Sequence, residues 1–576
     1  MQPTTAPAPQ SRASWPHVLA VVALLCLLSL VMTWPLAANL STSVNDYGDP
    51  LLNSWILWWD FKALTTPGLS WFNAPMFHPS PLTLAYSEHM LANALLAAPV
   101  FMAGGDAILA HNVVFLLSFV LSGLGAYLLG WQLTRSRGAA LVCALGFAFA
   151  PYRFGHLGHL QLQTAQFMPL VLLYLHRWAL EPRWRHIWLM GLFWLLQILS
   201  CGYYALFVSL ALGLFLLFYG LRGGWWRQAR RWRQMAAVTL AVGLLVLPLY
   251  LPYMQVKKDL GFVRSQDNAA SFAALPRHYL AAPPASLLYG QLTAPFRGSE
   301  GELFLGLGLS ARVALGLLPR RRPARPGPED PRPAGWWRAN PQRAFYLLLA
   351  VLAFWASLGP SYGLYALLYR LVPGFDTLRV PARLAVLVTL AWAVLAAYGW
   401  QRLAALWPGR VAVRRLALSG ACLLMLLESC SVPVPWLQVY DFTPPVYQWL
   451  AAQPAGSVVF EAPTMGHMGD QARDARYLYW STKHQQPLVN GYSGFFPPGY
   501  RQMTQIAGRL PDTSELLPEL RRRGARLLVL HLKEYPPAAR HGLLKALRRN
   551  PELGEVFSSE WDYAFEIKPA PTGPGA

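Results

Sequence analysis

The chain has 576 residues, of which 55% are hydrophobic and 13% charged, with a mean hydropathy of +0.30. A soluble domain carries roughly 25% charged residues, so the composition excludes an ordinary soluble protein and indicates a polytopic membrane protein. The formal charge of +21 does not indicate nucleic-acid binding, because the excess sits in short clusters between apolar blocks, such as 227–233 (RQARRWR) and 320–325 (RRRPAR). Cytoplasmic loops carry charge in this way.

In chain order, apolar segments lie near 17–37, 107–131, 138–151, 165–180, 186–200, 203–221, 235–254, 302–319, 343–358, 383–403 and 414–432, about eleven spans in all. The first follows Arg12 and also fits a signal peptide; both readings place the next loop outside the cytoplasm. Segment 91–104 is too short to span and reads as an interfacial or re-entrant helix. Arginines in the loops at 135–137, 177–185, 222–233, 320–343 and 402–415 fall on one face, which places the N-terminus in the cytoplasm and the C-terminus outside. The proline-rich stretch 319–343 reads as a cytoplasmic linker. Loop 38–106, the turn at 151–163, loop 255–301 and stretch 359–383 are then extracytoplasmic. After residue 432 the pattern changes to strands and helices. Residues 433–570 read as a small extracytoplasmic α/β domain and 571–576 as a disordered tail. The fold class is thus a polytopic α-helical membrane protein, 1–432, with a C-terminal α/β domain. The five cysteines lie in or beside apolar blocks without metal spacing and read as small buried hydrophobes.

Chemistry concentrates in a few places. In 44–60, VNDYGDPLLNSWILWWD, two acids precede a tryptophan-rich helix. Asp49 with Pro50 suits a helix start, Asp49 being the N-cap. The helix is expected to lie in the membrane interface with Trp55, Trp58 and Trp59 among the headgroups. Asp49 would then be a carboxylate held beside the bilayer, suited to general-base work on a hydroxyl. A wet loop explains the same acids without chemistry. Tyr152, Arg153, His156, His159 and Gln161 form a second cluster; Arg153 suits a phosphate, while HxxH without a third ligand is a weak zinc pattern. An interfacial turn facing water explains it equally well. Arg379 and Arg383 in TLRVPAR, Arg264, Tyr279, Glu300 and Glu302 in the third loop, and Glu88 with His89 complete the candidates. Segment 489–500, VNGYSGFFPPGY, reads first as a structural turn and second as a sugar-binding surface.

GDPLLNSWILWW, AFAPYRFGHLGHLQLQ, TLRVPAR and VNGYSGFFPPGY, in that order, resemble a bacterial family of the GT-C superfamily, integral-membrane glycosyltransferases that use polyprenyl-phosphate-linked sugars. The resemblance covers nearly the whole chain. It implies a bacterial cytoplasmic-membrane enzyme that transfers a sugar from such a donor to a glycan, lipid or protein acceptor. The family's first-loop acid falls on Asp49 or Asp46, with a divalent cation between them an open possibility, since the spacing is DxxD rather than an adjacent pair. The phosphate-binding role falls on Arg153, Arg379 and Arg383. A lipid-linked-glycan transporter or a non-catalytic assembly protein of the same fold is the alternative. A transporter is expected to show internal repeats, and none is evident.

Overall fold

The computed structural model describes residues 15–318, 336–439 and 442–569. Most of the linker read at 319–343, and the tail read at 571–576, lie outside the described residues. Helices occupy each of the eleven apolar segments. Five of them, Trp15–Met32, Ala107–Thr134, Gly202–Gly223, Ala229–Leu260 and Pro381–Ala404, are long and apolar enough to cross a bilayer. The chain is accordingly a multi-pass membrane protein. Helix Leu91–Met102 has 12 residues, about 18 Å of rise, well short of a hydrocarbon core.

The bundle is organised around Ala385–Ala404, which is buried along most of its length against Leu307–Leu317, Arg137–Ala148 and Pro341–Ser357. Close approach explains its glycine: a Cβ at Gly399 would lie 1.8 Å from the Arg312 carbonyl oxygen, so only a small residue lets these helices meet. Buried Glu428, at the end of Val411–Ser429, accepts from the backbone N–H groups of Leu307 and Gly308 at 3.0 Å. This carboxylate caps a helix N-terminus, which accounts for an acid so near the membrane.

Beyond the last helix the chain runs back along its own beginning. Val434 N–H donates to the Trp34 carbonyl (2.9 Å) and Trp436 Nε1 to that of Thr33 (3.0 Å). Strand β1 (Ser43–Val44) pairs antiparallel with β2 (Leu437–Gln438). The remaining strands, β3 (Val459–Ala462), β4 (Leu527–His531), β5 (Leu553–Ser558) and β6 (Asp562–Ile567), form one sheet in the order β3-β4-β6-β5. Only the β3–β4 pair is parallel. Both of its strands are buried at every residue, which explains their mainly apolar runs, VFEA and LLVLH; the two polar residues, Glu461 and His531, bond each other at 2.8 Å.

The break in character after residue 432 is not a break in packing, because one apolar core runs from the bundle into the sheet. Helix Arg473–His484 lies against Asp49–Thr65. Trp55 Nε1 donates to Ser481 Oγ (2.9 Å) and Lys62 Nζ to Gln485 Oε1 (2.7 Å). The first loop adds backbone bonds from Phe77 N–H to the Asn490 carbonyl (3.0 Å) and from His78 N–H to that of Leu488 (2.9 Å). This corrects the interfacial expectation for the tryptophans. Trp55 and Trp59 are buried and Trp58 is half-buried, and Trp59 Nε1 donates to the Trp71 carbonyl (2.9 Å). Buried indoles with protein partners for their N–H are packing residues, not headgroup anchors.

Candidate functional site

The site begins at the loop that precedes helix Asp49–Thr65. Its N-cap is Gly48, not Asp49. Asp46 Oδ1 accepts from Gly48 N–H at 2.7 Å, a side-chain turn that fixes the entry of the chain. Asp49 therefore occupies the first helical position, where the helix dipole favours its negative charge. Its carboxylate is about one-third exposed. Oδ1 accepts from the Tyr492 hydroxyl (3.2 Å) and Oδ2 lies 3.4 Å from His159 Nε2. Burial, and then the charge on Asp49, push the Tyr492 hydroxyl pKa up, so it keeps its proton and donates. Burial also lowers the His159 pKa, with Asp49 opposing; a neutral imidazole faces the carboxylate.

Behind His159 lies a tightly bonded group. His156 is buried, with Nδ1 2.8 Å from the Tyr152 carbonyl and Nε2 3.1 Å from Glu300 Oε2. Glu300 holds Arg383 through both oxygens, Nη2 to Oε1 at 2.5 Å and Nε to Oε2 at 3.2 Å. Burial alone would raise the Glu300 pKa, but His156 and Arg383 outweigh it and hold it below the usual carboxylate range. Glu300 has φ +53°, a left-handed conformation costing about 1–2 kcal/mol for a residue with a Cβ. Such strain persists only where the surroundings fix it. Glu300 is thus the hub of this cluster, although a single acid in a long loop carries little sequence signal.

Several candidates take different places. Arg153 is 3% exposed. Its Nε bonds Gln163 Oε1, Nη1 the Ser118 and Ala148 carbonyls, and Nη2 Ser118 Oγ and the Gln163 carbonyl. Five bonds match the five guanidinium donors, so none is left for a phosphate. Arg153 is a structural residue, contrary to the phosphate role expected of it. His89 also turns away: its Nδ1 lies 2.5 Å from Asp60 Oδ1. Asp60 is eleven residues along the helix from Asp49, about 16 Å of rise. Glu88, by contrast, faces the site. It accepts from Gly202 N–H (2.6 Å), and burial raises its pKa while Arg383 and Asp49 act on it in opposite directions. Tyr152 is buried beside His156, with its hydroxyl 3.5 Å from the Arg383 carbonyl. Glu302 is half-buried against Gly155. Gln161 bonds Asn53 (2.9 Å) and Tyr279 bonds Ser357 (2.8 Å), both as supports.

Arg379 is half-buried, its guanidinium 4.9 Å from the Phe272 ring centroid. Among the described residues no carboxylate pairs with it, yet its charge acts on Tyr492 and on Arg264. Arg264 stands over Phe495 and donates to the Gly494 carbonyl (2.6 Å). For the divalent cation left open between Asp46 and Asp49, the donors at hand are few. Among the described residues no three of His, Cys, Asp and Glu converge as ligands, and Asp46 is turned to its own loop.

A bundle of membrane helices with an acid at the head of a first-loop helix thus packs against a C-terminal sheet. No protein-family model and no curated protein matches the sequence. Among solved structures, the arabinofuranosyltransferase AftD from Mycobacteria matches 97% of this chain at TM-score 0.61 and 16% identity. A mutant form of AftD matches at TM-score 0.56. The chain spans only 40% of the length of AftD. The archaeal oligosaccharyltransferase AglB from Archaeoglobus fulgidus matches at TM-score 0.45 and 14% identity, covering 97% of this chain and 76% of its own. The chain thus shares a fold with AftD along nearly its whole length.

Proposed function

We propose that the protein is a membrane glycosyltransferase that moves a sugar from a polyprenyl-phosphate donor to an extracytoplasmic acceptor. The observation that carries this reading is the carboxylate of Asp49. It is about one-third exposed at the head of its helix, bonded by Tyr492, faced by His159, and shares its surroundings with Arg379, which has no carboxylate partner among the described residues. The AftD-like fold supports the reaction class.

In the reaction, Asp49 takes the proton of an acceptor hydroxyl as its oxygen attacks the anomeric carbon. The bond from that carbon to the phosphate oxygen breaks with inversion, and polyprenyl phosphate leaves with the bonding pair. Arg379 neutralises the departing phosphate. Arg383, Glu300 and His156 act as positioning residues that hold the wall behind His159. Asp46 shapes the loop that carries Asp49. Glu88 adds a further acid within electrostatic reach of Asp49 and Arg383. The protein sits in the bacterial cytoplasmic membrane with about eleven spans, its N-terminus inside and residues 433–570 outside, as the arginine-rich loops imply.

The test is turnover in lipid with a panel of polyprenyl-phosphate sugars, wild type beside Asp49→Asn. Wild type should release polyprenyl phosphate, and the variant should fall by a factor of about 10²–10⁴, the usual worth of a general base. Transfer undiminished in Asp49→Asn would remove Asp49 from the chemistry. A wild type that binds no donor would overturn the transferase reading in favour of transport or assembly.

A further inference from the structure

Beside the site, a cleft of about 420 Å³ opens between the third loop and the C-terminal segment, lined by Arg264, Gly494, Phe495, Phe496, Gly499 and Arg501. Two guanidinium groups are set around it on aromatic faces. Arg264 lies 3.9 Å from the Phe495 centroid and Arg501 lies 5.4 Å from that of Phe496. The rings are themselves held: Phe495 stacks on Phe262 at 4.3 Å and Phe496 on Tyr500 at 5.7 Å. Arg264 is fixed further by its bond to the Gly494 carbonyl (2.6 Å), and its own carbonyl accepts from the Tyr369 hydroxyl (2.8 Å). Stacking of this kind orients a planar cation without consuming its donors.

The charge at this cleft is uncompensated. Among the described residues no carboxylate pairs with Arg264 or Arg501. Burial lowers the Arg264 pKa, and the nearby positive charge of Arg379 adds to that effect. Helix Tyr500–Ala507 points its N-terminal end at the same cleft, which adds partial positive charge. The cleft also adjoins the reacting groups. Gly494 is two residues from Tyr492, whose hydroxyl bonds Asp49, at most about 7 Å of extended chain. No strand lines the cleft, so it offers no edge for an extended peptide to join.

We propose that this cleft binds an anionic unit of a glycan acceptor, a uronate carboxylate or a phosphate substituent, and so presents the neighbouring hydroxyl to Asp49. The fork of a guanidinium matches the two oxygens of such a group, and the cleft is lined by two. The inference rests on the transferase reading for its direction but can be tested apart from it.

The experiment measures binding to the purified full chain in lipid nanodiscs, independent of turnover. The probes are an oligogalacturonate, a phosphorylated oligosaccharide, a neutral oligosaccharide of equal length, an acidic peptide and a short-chain polyprenyl phosphate. Anionic glycans should bind and the neutral one should not. Arg501→Gln, an exposed site whose loss should leave the melting temperature unchanged, should weaken them about tenfold to a hundredfold, the worth of a hydrogen bond to a charged group. Asp49→Asn should bind them as wild type does. Equal binding of the neutral glycan, no effect of Arg501→Gln, or tighter binding of the acidic peptide would overturn the proposal. So would an Arg501→Gln defect confined to polyprenyl phosphate, which would make the cleft a donor site. Arg501-dependent binding of anionic glycans in a protein that transfers from no donor would sustain the cleft and refute the transferase.

Discussion

Arg379 and Arg383 sit four residues apart in one short motif and meet opposite circumstances. Arg383 is 5% exposed and doubly bonded to Glu300, so its charge is already neutralised. Arg379 has an aromatic ring beneath it and no carboxylate partner among the described residues. Replacing each with glutamine should therefore give different losses. Arg383→Gln leaves the largely buried Glu300 carboxylate with only His156 beside it, and removing one partner of a buried pair costs up to about 3–5 kcal/mol. The melting temperature should fall sharply, and the double variant Arg383→Gln/Glu300→Gln should recover most of the loss. Arg379→Gln should leave the melting temperature in place and weaken polyprenyl-phosphate binding about tenfold or more. Equal thermal losses in the two single variants would refute the distinction. The motif shows both arginines as candidates but cannot show which is paired, because Glu300 lies 83 residues away in sequence. Arg153 failed as a phosphate ligand for the same reason: its acceptors are mostly backbone carbonyls, which leave no mark on a sequence.

At the scale of elements, helix Asp49–Thr65 was legible and its partner was not. Asp-Pro ahead of an apolar run marks the start to within one residue, since Gly48 rather than Asp49 takes the N-cap. Tryptophans near a membrane segment point to the interface, yet two of the three pack inward, Trp55 against helix Arg473–His484 and Trp59 against the first loop at Trp71. Ser481, which bonds the Trp55 indole, is 426 residues further on, beyond any reading of periodicity. The pair joins the carrier of Asp49 to the C-terminal domain, so loosening it should loosen the base. Trp55→Phe and Ser481→Ala should each lower stability, with a coupling of about 1 kcal/mol between them. Both should reduce turnover while donor binding stays near wild type. Additive losses in the double-mutant cycle would mean that the bond does not link the two elements. By the same physics, the helical blocks were read well because each is a local run of apolar residues, and a run of that length has few other destinations.

Over the whole molecule, the C-terminal sheet carries a buried polar network that sets how its stability follows pH. His531 lies between Asp562 Oδ1 (2.8 Å, at Nδ1) and Glu461 Oε2 (2.8 Å, at Nε2), with Tyr477 stacked beside it and Tyr447 donating to the same Glu461 oxygen at 2.9 Å. Burial opposes its protonation, but the two carboxylates overcome this and raise its pKa from 6.5 to about 9. Across the core, Asp474 accepts from the Tyr500 hydroxyl (2.5 Å), and burial raises its pKa from 3.8 to about 7. Both groups bind a proton more tightly when folded, so both make stability fall as pH rises. The Asp474 part is complete below about pH 4 and lost through pH 7. The His531 part is complete below about pH 6.5 and lost through pH 9. A shift of this size in His531 corresponds to about 3 kcal/mol. The melting temperature should therefore decline between about pH 4 and 9, through Asp474 below pH 7 and through His531 above pH 6.5. In His531→Gln that decline should flatten above pH 7, starting from a lower value at pH 6. In Asp474→Asn the lower part should flatten instead, leaving the upper part intact. A His531→Gln profile parallel to wild type from pH 7 to 9 would show that the imidazolium is not what these carboxylates hold.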